Sequence, residues 1–125
     1  MARVILFGEP EGRIARALTR IGARFEARSE PAVVLGAVVA GQPDTLIWPL
    51  RGDVSDARVL RAIRDLAPEL RILLFGPVGT AAVHELVAEL DGVYVGELPV
   101  DPQPLEDTLD LVLRDAADGP ASATG

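Results

Sequence analysis

The chain has 125 residues, 49% of them hydrophobic, and a net charge of −7. That is enough for one domain with a proper core, while the acidic excess argues against a nucleic-acid partner, whose binding rests on phosphate neutralisation. With no cysteine and a single histidine, disulfides, thiolate chemistry and a His- or Cys-built zinc site are excluded.

The chain opens on "RVILFG", Arg3 to Gly8, a β-branched apolar run closed by glycine, which reads as a strand. No small-residue cleavage site follows it, so it is not a signal peptide. No apolar run is long enough to cross a bilayer. A cytoplasmic protein with no membrane partner is the expectation. "EGRIARALTRIGAR" spaces Ile14, Leu18 and Ile21 along one helical face with arginines between them. "RFEAR" alternates as a short edge strand. "EPAVVLGAVVAGQ" has strand-like composition, but its length and place between two strands predict a mostly buried helix, opened by Pro31 and closed near Gly41.

"TLIW" is the third strand, and "DVSDARVLRAIRDLAPEL" the clearest helix, with Val59, Leu60, Ile63 and Leu66 on one face and Pro68 as its stop. Asp53 or Ser55 would cap its start. "RILLFG" repeats the texture of the first strand. "TAAVHELVAELDG" is a helix with Thr80 as N-cap and Gly92 past its end. "VYVGE" is the last strand, and "PLEDTLDLVLRDAAD" the last helix, with Leu105, Leu109, Val112 and Leu113 inward. Residues 1–117 form the domain, and 118–125 a flexible polar tail.

This is a βα unit repeated five times. Right-handed crossovers then give a parallel sheet covered on both faces, which the nearly all-apolar strands fit. The economical architecture is a doubly wound α/β fold of flavodoxin-like type with strand order 2-1-3-4-5. Its cleft would lie at the carboxyl ends of strands one, three and four, lined by Gly8–Glu9–Pro10, Trp48–Pro49–Leu50 and Gly76–Pro77.

Two stretches, "GQPDTLIWPLRGDVSDARVLRAIRDLAPELRILLFGPVG" and "DGVYVGELPVDPQPLEDTL", carry a resemblance to the response-regulator receiver domain (CheY-like) of bacterial two-component signalling. It covers roughly Arg3 to Asp115. The resemblance implies an acid pair after strand one for Mg²⁺, a phosphoacceptor Asp ending strand three, a hydroxyl residue ending strand four and a Lys-Pro after strand five. Here the acid pair falls on Gly8 and Glu9, the phosphoacceptor on Pro49 (or Trp48 if the register shifts by one), the hydroxyl on Gly76, and Lys-Pro on Leu98–Pro99. Phosphoryl transfer needs an oxygen nucleophile, a divalent cation and a cation for the product. One carboxylate would hold Mg²⁺ weakly, and Trp48 would fill the space of the phosphoryl group. The expectation is a degenerate pseudo-receiver without cofactor, not an enzyme, acting as a protein-interaction and regulatory module.

The resemblance places a protein partner or a homodimer on the face of helix four, strand five and helix five. There Leu98 and Val100 would form an apolar patch rimmed by Glu97, Asp101 and Glu106. The wider acidic cluster, with Asp107 and Asp110, is either a docking edge or a solvated face. The alternative function is a small-molecule or nucleotide sensor reusing the vestigial cleft, with Trp48 and Tyr94 as pocket walls. "GEPEG", Gly8 to Gly12, is a turn and helix start; it lacks phosphate-loop spacing and a lysine. His84 reads as an exposed helical residue.

Overall fold

A computed structural model describes residues 3–8, 12–41, 43–50, 54–76, 81–90, 93–97, 99 and 101–124. The elements follow as β1 (Val4–Phe7), α1 (Arg13–Arg20), β2 (Phe25–Arg28), α2 (Pro31–Gly41), β3 (Thr45–Pro49), α3 (Val54–Leu66), β4 (Arg71–Phe75), α4 (Ala81–Glu89), β5 (Val93–Gly96) and α5 (Pro102–Thr124). The five strands form one parallel sheet in the order β2-β1-β3-β4-β5, the order that the sequence predicts. The caps expected at Asp53, Thr80 and Gly92 lie outside the described residues. Helical backbone in α5 continues past Asp118, where the sequence suggests a tail.

Alternation along each strand builds two cores. Val4, Leu6, Ile47, Leu73 and Phe75 point to one side and pack with Ile14 and Leu18 of α1 and Leu105, Leu109 and Leu113 of α5. Ile5, Phe7, Leu46, Trp48, Ile72 and Leu74 point to the other side and meet α2, α3 and α4 through Val34, Val38, Leu60, Ile63 and Leu86. The central strands β1, β3 and β4 are covered on both faces, which explains why they are continuous apolar runs, while the edge strands β2 and β5 stay partly exposed.

Leu66 departs from the expected face of α3 and is 60% exposed. Leu60 and Ile63 continue at the i+7 position to Ala67, which packs on the core, and Leu66 falls beside that line. The end of α3 is held by Arg64, whose Nη1 donates to the carbonyls of Pro68 at 3.0 Å and Leu70 at 2.7 Å. Arg61 pairs with Glu89 and ties α3 to α4.

Candidate functional site

In an open α/β sheet the carboxyl strand ends are where a site is built. Here those ends are knitted together by main chain. Gly8 N–H donates to Arg28 O at 2.8 Å, Leu50 N–H to Phe75 O at 2.6 Å, and Gly76 N–H to Gly96 O at 3.0 Å.

Trp48 is fully buried. Its ring stacks on Phe7 with centroids 4.0 Å apart and planes 21° apart. The expected neighbours Pro10 and Pro77 lie outside the described residues, as does Glu9. Trp48 therefore sits in the α2–α3–α4 core rather than as the wall of an open cleft. The strand end itself is Pro49, half-buried and opposite Phe75 in register. Pro49 offers neither an acid nor a nucleophile.

At Gly76 the neighbouring strand end approaches closely. Its φ is +156°, a conformation that residues with a Cβ rarely adopt. A Cβ built there would lie 2.9 Å from Leu50 Cβ and 3.0 Å from Leu50 O. Leu50, 8% exposed, thus closes over the position where a hydroxyl residue would stand in a receiver. Sequence reasoning placed Leu50 in the cleft lining without this role; Gly at the end of a strand was the one available signal of close backbone approach.

Trp48 and Tyr94 do not share a pocket. Tyr94 tilts against Phe75 at 5.9 Å between centroids, on the α1–α5 side of the sheet, whereas Trp48 lies on the other side. Cavities of about 410 Å³ beside Arg3, Arg24, Phe25 and Pro43 and of about 620 Å³ beside Arg64, Arg71 and Tyr94 lie at the amino ends of the strands, and one of about 220 Å³ lies between α1 and α5.

Gly8 has no side-chain donor and Pro49 no carboxylate, so the described residues of this site do not fit a divalent cation. Among the described residues no group of three His, Asp or Glu side chains is gathered anywhere. Asp44 accepts the Arg3 backbone N–H at 2.8 Å at the amino ends of β1 and β3, the opposite end of the sheet from the carboxyl strand ends. His84 is an exposed residue of α4. No helix among the described residues is long and apolar enough to cross a membrane.

The acidic edge is split by the structure. Glu97 and Asp101 are exposed, as is Asp107, which accepts from Gln103 at 2.9 Å. Glu106 instead turns into the α1–α5 groove and meets Arg20 at 3.3 Å, so it does not rim the same patch. Asp110 pairs with Arg114 one turn on at 3.1 Å. Leu98 and Val100 lie outside the described residues; Pro99 is half-buried. Two exposed apolar side chains stand on these elements: Tyr94 at 38%, expected as a pocket wall, and Leu111 at 70%, which sequence reading did not single out.

No protein-family model matches the sequence, and no curated protein sequence does either. Solved structures do resemble the fold. The signal receiver domain of a response regulator from Bermanella marisrubri superposes with a TM-score of 0.70 at 21% identity, covering 88% of this chain and 97% of that one. The receiver domain of the response regulator NarL from Mycobacterium tuberculosis gives 0.67 at 21%, covering 93% and 96%. A pilus assembly-related protein from Burkholderia pseudomallei gives 0.69 at 20%, covering 94% and 90%. The chain has the receiver fold of two-component response regulators.

Proposed function

We propose that this chain is a pseudo-receiver: a receiver-fold domain in bacterial signalling that takes no phosphoryl group and works by binding another protein. The observation that carries this reading is the closure of Leu50 onto Gly76, with Pro49 at the adjacent strand end. The position for a hydroxyl has no room for a Cβ, and the position for a carboxylate holds an imino acid. On this reading the described strand ends, with neither a nucleophile nor a cation cradle among them, support no phosphoryl-transfer step. What remains is a rigid scaffold presenting α4, β5 and α5. These elements carry the exposed apolar Tyr94 and Leu111 and the exposed acids Glu85, Glu97, Asp101 and Asp107, the residue types from which a modest interface with an apolar centre and a charged rim is built.

Incubation with acetyl phosphate and Mg²⁺, read by intact mass, should leave the protein unmodified. A stable adduct of one phosphoryl group mapping to Glu9, Asp44 or Asp53 would overturn the reading.

A further inference from the structure

α2 contains no polar side chain: it reads "PAVVLGAVVAG" from Pro31 to Gly41. A helix that is apolar all round is normally enclosed. Here Val34 and Val38 are buried, but Ala32, Val33, Gly36, Val39 and Ala40 are exposed, with Val33 at 44% and Val39 at 53%. The other exposed helix surfaces carry charge, among them Arg58 and Asp65 on α3, Glu85 and Glu89 on α4, and Asp107 on α5.

The exposed residues also have an internal order. About Gly36 they are symmetric in position and in kind. Ala32 mirrors Ala40, and Val33 mirrors Val39. An antiparallel crossing on a two-fold axis at Gly36 would set each residue against its mirror image on a second helix. Such self-complementarity is what an isologous interface requires.

Charge at the two ends agrees. Glu30, exposed, precedes α2, and its carbonyl accepts from Val34 N–H. At the other end Arg3, also exposed, donates from Nη1 to Gly41 O. The same crossing brings Glu30 of one copy beside Arg3 of the other, twice, and sets the two helix dipoles antiparallel, the N-terminus of each beside the C-terminus of the other. For a chain of net charge −7, this uncharged face with complementary ends is where a second copy meets least repulsion. Gly36 fits too: a Cβ there meets nothing within 4 Å inside the monomer, so the fold itself gives no reason for a helix-interior glycine, which weakens a helix. A partner backbone at close range does.

We infer that α2 is a self-association surface, on which two copies pair as antiparallel helices about Gly36. The helix is about 16 Å long at the usual rise, so the contact is smaller than the roughly 800 Å² per partner of a standard interface, and the dimer is weak and concentration-dependent. The surface is remote from β5, at the other end of the sheet order, and does not rest on the pseudo-receiver reading.

Sedimentation velocity of the full chain from about 1 µM to 1 mM should show a monomer–dimer equilibrium in that range. Gly36→Gln should raise the melting temperature of the monomer, by helix propensity, and weaken dimerisation about tenfold or more, because a long side chain separates the helices. Val39→Glu should weaken the dimer similarly. In this cysteine-free chain, Gly36→Cys should oxidise to a disulfide dimer faster than Ala32→Cys, since only residue 36 opposes itself. A monomer throughout the range, including one that captures an apolar helix of another protein, overturns the inference. So do equal cross-linking rates, or a dimer indifferent to Gly36→Gln. A dimer lost instead in Glu97→Arg assigns self-association to the β5–α5 side and overturns the inference while leaving the pseudo-receiver reading intact.

Discussion

Gly76→Ala tests whether the strand ends are closed as described. The substitution adds one carbon, and that carbon would lie 2.9 Å from Leu50 Cβ, 3.0 Å from Leu50 O and 3.5 Å from Leu50 Cα. Comfortable separation between carbons begins at about 3.5 Å, so Leu50 must retreat. It cannot do so freely, because its N–H is bonded to Phe75 O at 2.6 Å and Pro49 before it is paired in the sheet. Overpacking of this kind costs about 1–3 kcal/mol, and holding a residue with a Cβ at φ +156° costs a further ~1–3 kcal/mol. The expected loss is about 2–6 kcal/mol of a total near 5–15 kcal/mol. Urea unfolding followed by circular dichroism measures it directly, with an unchanged slope showing that the folded state is otherwise intact. Pairing the substitution with Leu50→Gly removes the Cβ–Cβ clash, so the double variant should be less destabilised than the sum of the singles by about 1 kcal/mol. A Gly76→Ala protein within about 0.5 kcal/mol of the parent would refute the closure, and with it the observation on which the proposed function rests.

Trp48→Ala should cost about 3–5 kcal/mol, since it opens a cavity beside Phe7 in the α2–α3–α4 core; in the parent protein, red-shifted emission readily quenched by acrylamide would contradict this burial. Arg64→Lys should be destabilising by about 1–3 kcal/mol in thermal or urea unfolding, because an ammonium cannot reproduce the donation to Pro68 O and Leu70 O; full retention of stability would show that those contacts are incidental. Glu106→Gln should change stability by less than about 1 kcal/mol, since its partner Arg20 is 63% exposed and water screens the pair; a larger loss would make the α1–α5 ion pair a structural tie.

The element order and the sheet were legible because the central strands are continuous apolar runs and the helices other than α2 show a charged face. "RVILFG" and "RILLFG" could hardly be anything other than buried parallel strands. α2 is the instructive element: its composition favoured strand, and only its length and position made it a helix. What could not be read was which way each strand residue points. When both faces of a sheet are covered, no polar alternation reports the pleat, so Trp48 and Tyr94 looked like neighbours and lie on opposite sides. The approach of Leu50 to Gly76 depends on the register between β3 and β4, which no local pattern encodes. Glu106 looked like part of an acidic rim because its neighbours in sequence are acidic; helical periodicity turns it toward α1 instead. The suspected patch at Leu98 and Val100 falls outside the described residues.

The main-chain bonds that close the strand ends bear on how such a domain can carry information. Leu50 to Phe75 and Gly76 to Gly96 are backbone contacts, and beside them stands a glycine with no side chain to rotate. On the proposed reading nothing at this edge flips between two arrangements, so there is no equilibrium for a signal to bias. The domain would then speak through dose rather than state: its effect would follow the number of copies made and the occupancy that mass action allows. A graded, near-linear output against protein abundance in the cell, with no threshold set by a modifying enzyme, is the behaviour that such a closed edge implies.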